Sequence, residues 1–326
     1  MIVLLSLLAL VIVVTSIQSP AFLSLNNVTN IGLQVARIGL MACGMTFVMI
    51  AGGIDLSVGS VLALGAAVVG VLLAVGIPAV LAVTLAILSG ALAGLVNGAG
   101  VAYFRIPPLI LTLGMLYAIR GGILLASSGS VSGSTIATGF SEDFLTIGQG
   151  ELLGIPTPVW VVLLGFVVAH VVLRRMRFGR YTIAVGTDAS VSRRAGISVN
   201  GHLLRVYAMC GALAALTGVI VTSQVGAAST DVGLGDELTV IAAVVIGGTA
   251  LTGGIGSIVG TFVGVVFLSV AQNALDILNV SPFAFQLAVG VLLLVSSAAD
   301  ILTNRPGWLP QRRRGASTAA RAEAAS

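Results

Sequence analysis

Groups able to do chemistry are few in this chain, and the densest set lies in Ala51-Gly52-Gly53-Ile54-Asp55-Leu56-Ser57-Val58-Gly59-Ser60. The segment joins two apolar runs and leaves almost no room for a soluble loop. A glycine pair lets the backbone leave helical geometry, and Asp55 and Ser57 then stand where they can cap the following helix. Two compatible readings follow. Asp55 is a cap at the membrane interface, or the segment is a helix broken inside the bilayer, with Gly52, Gly53, Asp55 and Ser57 facing a translocation path. Irregular backbone at depth is tolerated only against protein or a water-filled cavity. A second break, Ile246-Gly247-Gly248-Thr249-Ala250-Leu251-Thr252-Gly253-Gly254-Ile255-Gly256-Ser257, repeats the order in outline. Paired discontinuous helices are a pointer to a transport site. Neither break carries the several carboxylates of a proton or sodium relay.

Covalent chemistry finds no support. His170 and His202 are not followed by glutamate as a zinc-hydrolase helix requires, and no serine sits in a G-x-S-x-G elbow. His170 is expected to cap a helix end and His202 to be a solvated loop residue. Gly254-Ile255-Gly256 begins like a dinucleotide fingerprint, but Val259 stands at the third glycine position. All 15 basic residues are arginine. A phosphate-binding G-x-x-x-x-G-K-[ST] loop needs its lysine, so nucleotide that powers this protein must bind another chain. Cys43 and Cys210 lie in apolar runs with no motif around them, as small buried hydrophobes do.

The elements that position these groups are membrane helices. The chain has 326 residues, 57% of them hydrophobic and 8% charged, with a mean hydropathy of +1.14. A soluble fold of that composition would lack the polar surface to cover itself. Spans of about 20 apolar residues fall near 1–17, 31–52, 57–76, 79–99, 107–127, 157–173, 205–226, 238–253, 255–275 and 282–302. The expectation is an all-α polytopic membrane protein of about ten transmembrane helices, some broken or re-entrant. The first span reads as a retained helix, because it lacks a basic leader and Ser19-Pro20-Ala21 makes a poor cleavage site. Glycines spaced by four (Gly90, Gly94, Gly98 and Gly256, Gly260, Gly264) mark faces where helices approach closely.

Charge gives orientation. Segment 174–205 carries seven arginines against Asp188, and the end of the chain carries Arg305, Arg312, Arg313, Arg314 and Arg321. Both belong in the cytoplasm by the positive-inside rule, which also accounts for the basic pI near 9.7 without nucleic acid. The acidic segments 128–156 and 227–237 belong outside. Span parity agrees, and both termini are then cytoplasmic. The division expected is a transmembrane domain over 1–304, with a cytoplasmic segment at 174–204, and a basic tail at 305–326 too poor in apolar bulk to fold. Arg37 and Arg120 fall inside or near the ends of spans. An arginine at the bilayer centre costs roughly 2.5–3.5 kcal/mol on insertion scales, so each must snorkel, pair or face a cavity; snorkelling is the simplest outcome.

The run Gly52-Gly53-Ile54-Asp55-Leu56-Ser57-Val58-Gly59-Ser60 closely resembles the signature of ABC sugar permeases of the ribose, xylose and galactose type. Further matches follow in order: Asn97-Gly98; Arg105 through Gly114; Arg120-Gly121; Phe178-Gly179-Arg180-Tyr181; Arg194-Ala195-Gly196-Ile197; Glu237-Leu238; Ile241 through Thr249; and Gly253 through Ser257. Together they cover about residues 20–303. The resemblance implies a permease in the bacterial inner membrane that works beside a second permease copy, two cytoplasmic ATPase chains holding ATP-Mg, and an extracytoplasmic sugar-binding protein. It implies no cofactor bound by this chain and no catalytic residue.

Within 174–204 the resemblance places the short helix that docks on the ATPase, around Asp188 to Ile197, with Gly186, Asp188, Arg193, Arg194, Ala195, Gly196 and Ile197 as coupling residues. Where the family has asparagine and then glutamate, this chain reads Gly186-Thr187-Asp188-Ala189-Ser190, and near the last span an uncharged Gln286 replaces a charged residue. Sugars are read by neutral hydrogen-bonding groups, so Asn97, Thr112, Thr249, Gln272 and Asn273 join the candidate path. Rival readings are a branched-chain amino-acid permease of the same superfamily, an ion-coupled secondary carrier and a membrane-embedded enzyme.

Overall fold

The computed structural model describes residues 2–127, 135–281, 283–291 and 294. The last expected span is described only at 283–291 and 294, where it is helical, and the tail at 305–326 lies wholly outside the described residues. The helices are α1 (Ile2–Gln18), α2 (Leu25–Ile50), α3 (Val58–Ala74), α4 (Ala79–Ala102), α5 (Pro108–Ser127), α6 (Glu142–Gln149), α7 (Thr157–Arg175), α8 (Arg177–Thr187), α9 (Ala189–Arg194), α10 (Val199–Val225), α11 (Asp236–Ile246) and α12 (Ile258–Ile277). Six of them (α2, α4, α5, α7, α10 and α12) are long and apolar enough to cross a membrane, and α1 and α3 are shorter apolar helices. Among the described residues, strand is confined to two small antiparallel pairs: β1 (Thr135–Thr138) with β4 (Ala227–Ser229), and the hairpin of β2 (Glu151–Leu152) and β3 (Ile155–Pro156). The expectation of an all-α polytopic membrane protein holds.

Packing is centred on α2 and α10, whose facing sides make up much of the core. Glycine brings α4 and α10 together. A Cβ on Gly90 would strike the Gly211 carbonyl, one on Gly94 the Tyr207 carbonyl, and one on Gly98 the Leu204 Cα. The same logic joins α12 to α11 through Gly260 against Gly247 and Gly264 against Ala243. Lipid offers no hydrophobic drive for helix association, so this close approach supplies the contact instead. In return, much of the outer surface is apolar: Leu88, Leu92, Ile110, Tyr117, Leu125, Leu164 and Val167 all stand exposed.

Charge separates along the bundle. The basic α8–α9 elbow caps one end, and the acidic α6 with the β1–β4 pair caps the other, where the Gly148 N–H donates to Ser223 Oγ. One boundary needs correction. The apolar run 238–253 is not a full span, because α11 has 11 residues and stops at Gly247, a length of about 16 Å. The chain returns from β4 as irregular backbone over 230–235, and α11 begins only at the level of Arg37, midway along α2. The acidic residues Asp236 and Glu237 consequently lie inside the bundle rather than in a loop beyond it.

Candidate functional site

Asp55 sits at the first helix break and is 1% exposed. Its Oδ1 accepts from the Ser57 N–H at 2.9 Å and the Ser57 hydroxyl at 2.6 Å. Asn97 of α4 donates through Nδ2 to Ser57 Oγ at 2.8 Å and more weakly to both oxygens of Asp55, at 3.4 and 3.5 Å. Thr112 of α5 completes the ring, its Oγ1 accepting from the Leu56 N–H at 3.1 Å. The backbone therefore leaves the helix at Gly52, which has φ +85°, and its polar groups are taken up by α4 and α5. The cluster is enclosed by protein. Asp55 caps by forming a tight turn onto Ser57, whereas the Ser57 side chain itself makes no capping bond. Asn97 Oδ1 and the Tyr207 hydroxyl, which lies against Gly53, are buried here without hydrogen-bond partners.

The second break meets the first. Gly254 donates its N–H to the Ile50 carbonyl at 2.8 Å, and a Cβ on Gly253 would fall 2.9 Å from the Gly52 Cα. Thr249 is buried beside Gly256, its hydroxyl without a partner. Into the same junction runs the end of α8. A Cβ on Gly186 would land on the Ile50 carbonyl oxygen and within 2.7 Å of the Gly254 nitrogen, and a Cβ on Gly254 would meet Thr187. Three stretches of backbone thus touch with no side chain between them. Six of the sequence candidates (Gly52, Gly53, Asp55, Ser57, Asn97 and Thr112) fall into one cluster, and Thr249 adjoins it at the junction.

Gln272 and Asn273 do not join that cluster. They lie near the far end of α12, where Asn273 and Asn27 exchange two amide hydrogen bonds of 2.9 and 2.8 Å. A cavity of about 490 Å³ opens beside that pair, between α2, α10 and α12.

The α8–α9 elbow is ordered by Asp188, which caps α9 by accepting from the Ser190 N–H at 2.8 Å, the Ser190 hydroxyl at 2.7 Å and the Val191 N–H at 3.0 Å. The Val191 N–H, followed by the Ser190 hydroxyl and N–H, holds this carboxyl below the usual carboxylate range. Gly196 ends the turn with φ +83°, which favours glycine. Arg193, Arg194, Ala195 and Gly196 are exposed, and Ile197 is half-buried.

Several single-residue expectations change. Arg37 does not snorkel: its Nε and Nη2 bond Asp236 at 3.0 and 2.9 Å. Arg120 is a staple between elements, donating to the carbonyls of Thr230, Val232 and Gly59. His202 is not a loop residue but 3% exposed within α10, with Nε2 2.9 Å from Thr182 Oγ1 and its ring against Phe178. His170 lies within α7 rather than at its end. Sequence reasoning also passed over Asn27, Asn30 and Gln34. The signal was available in their spacing with Arg37, a polar row on one face of an apolar helix.

Comparison with known proteins places this arrangement. A family model described as "Branched-chain amino acid transport system / permease component" matches residues 27–297. The ribose import permease protein RbsC of Escherichia coli (strain K12) is 40% identical over 300 residues, 91% of this chain and 92% of the relative. That of Bacillus subtilis (strain 168) is 41% identical over 292 residues, 89% of each chain. The L-arabinose ABC transporter permease protein AraH of Azospirillum brasilense is 36% identical over 286 residues, 87% of this chain and 83% of the relative. No solved structure matches the chain at a significant level. With a family model spanning most of its length, relatives this similar and helices built for lipid, the chain belongs to the ABC-importer permease family that includes the ribose and arabinose permeases.

Proposed function

We propose that the chain forms half of the transmembrane pore of an importer that carries a neutral monosaccharide, a pentose of the ribose or arabinose type, across the bacterial inner membrane. A second permease copy supplies the other half. Two cytoplasmic ATPase subunits supply the force through bound ATP-Mg, and an extracytoplasmic binding protein delivers the sugar. The α8–α9 elbow lies on the cytoplasmic side in this reading, with both termini, and the cavity beside Asn273 opens outward.

One observation carries the mechanism. The backbone at Gly186 and Thr187 lies directly against Ile50, Gly253 and Gly254, so a push on the α8–α9 segment by the ATPase reaches both helix breaks without a flexible side chain to absorb it. Gly52, Gly53, Asp55, Ser57, Asn97, Thr112 and Thr249 then form the inner constriction that opens and closes, and Gln272 and Asn273 belong to the outer part of the path. Arg193, Arg194, Ala195 and Gly196 present an exposed face for docking. The names of the relatives favour a sugar; the description of the family model favours a branched-chain amino acid as the second reading.

Reconstitution in proteoliposomes tests the proposal. With the ATPase and the binding protein present, ATP should drive concentrative uptake of D-ribose or L-arabinose, and leucine should not accumulate. The permease alone should accumulate neither. Uptake driven by an ion gradient without the ATPase refutes the reading. Changing Arg194 and Gly196 together should uncouple uptake from ATPase stimulation while membrane insertion stays intact.

A further inference from the structure

Along α2, Asn27, Asn30, Gln34 and Arg37 recur at intervals of three, four and three, the spacing that aligns side chains on one helical face. Polar side chains inside a membrane bundle face protein or water. This row faces the cavity of about 490 Å³, whose opposite wall includes Gln224 of α10 and Asn273 of α12. From Asn27 to Arg37 the row runs about 15 Å along the helix, from the rim to the middle of the bundle. Arg37 ends it, held there by Asp236 at the start of α11. In the same wall Gln34 Oε1 is buried and has no hydrogen-bond partner.

The geometry points to this cavity as a monosaccharide-binding vestibule, in which Gln34 and Gln224 bond the hydroxyls of the sugar and the Arg37–Asp236 pair forms the floor. The assignment rests on the importer reading above. An amide offers two donors and an acceptor, and each sugar hydroxyl both donates and accepts, so a wall of amides matches a polyol in either sense. Among the described residues the lining carries a single cation, Arg37, which already has the carboxylate of Asp236. No other described basic group lines the cavity to take the carboxylate of an amino acid, and Asp276 also lines it. The volume falls in the range of small-molecule pockets. A buried amide oxygen without a partner is unfavourable, and a hydroxyl placed against Gln34 Oε1 removes that cost.

The test uses the full importer (permease, ATPase and binding protein) in proteoliposomes. Gln34→Leu and Gln224→Leu keep much of the volume and remove the hydrogen bonds. Each should raise the KM for D-ribose or L-arabinose uptake about ten-fold, roughly the worth of one hydrogen bond, while kcat falls less than two-fold. In a second measurement, Gln34→Cys is labelled from outside with a methanethiosulfonate reagent. The two natural cysteines are buried, and the transported pentose at millimolar concentration should slow labelling several-fold. Unchanged KM in both leucine variants, or labelling indifferent to the sugar, overturns the assignment while leaving the importer reading in place. A wild-type importer that accumulates leucine and no pentose refutes the importer's sugar specificity itself, and the vestibule as a sugar site with it.

Discussion

Gly186→Ala should separate what the α8 junction holds together. The new methyl would fall on the Ile50 carbonyl oxygen, with the Gly254 nitrogen 2.7 Å away. Both neighbours are backbone, so no rotamer change relieves the clash. The end of α8 must move back, and the bond from the Gly254 N–H to the Ile50 carbonyl strains or breaks. Overpacking of this kind costs about 1–3 kcal/mol, and one lost hydrogen bond adds about 1 kcal/mol. The sum is about 2–4 kcal/mol. Gly121→Ala is the control: nothing lies within 4 Å of its added carbon, and in a helix interior alanine is favoured over glycine by about 1 kcal/mol. Thermal melting of the detergent-purified complex, together with sugar-stimulated ATPase activity, reads both variants. Gly186→Ala should melt several degrees lower and lose most of its coupling, whereas Gly121→Ala should melt at or above the wild type. Equal behaviour of the two would refute the backbone contact and the transmission argument built on it.

Asp55→Leu should strand the donors of Ser57 and Asn97 and destabilise the chain by about 2–3 kcal/mol, seen as a lower melting temperature; Asp55→Asn, which keeps an acceptor, should lose less. Arg120→Lys cannot span the carbonyls of Gly59, Thr230 and Val232 with a single ammonium, so proteolytic nicking in 230–235 should accelerate. For Asp188, the folded carboxyl titrates below its ordinary value, so its cap is fully present above the unfolded value near 3.9 and is lost only as pH falls through the lower folded value. Trypsin cleavage at Arg193 and Arg194, taken relative to a short unstructured arginyl peptide at the same pH, should therefore be constant between pH 8 and 6 and rise in Asp188→Ala, while Asp188→Asn should resemble the wild type. Wild-type cleavage that rises at pH 6 relative to that peptide would contradict the capping argument.

The two helix breaks are legible in the sequence because a glycine pair between apolar runs, followed by a capping group, has few other uses. The close helix faces are legible for a similar reason: glycine at every fourth position puts one bare strip along a helix. The length of α11 is not. Hydropathy alone sees a single apolar run over 238–253; the stop lies in the Gly247-Gly248 pair inside that run, with Gly248 in the left-handed region, and apolarity does not weigh such a pair. The role of Arg37 is hidden differently, because its partner is 199 positions away and hydropathy carries no pairing information. The same holds for His202, whose polar and charged neighbours in sequence suggest a loop, although Thr182 and Phe178 enclose it. Of the site, the inner cluster can be read from residue types, whereas the separation of Asn273 from it depends on how α12 is placed.

The short helix α11 has a mechanical consequence. Its first residue is tied through Asp236 to Arg37 in the middle of the bundle, and just past its last residue Gly247 abuts Gly260, with Gly253 and Gly254 closing on Gly52 and Thr187. A three-turn rod gripped at both tips can neither coil up nor bow by much. α11 thus spans a fixed distance between contacts at the bundle's waist and contacts near its basic end, and an axial displacement at one tip is expected to be felt at the other.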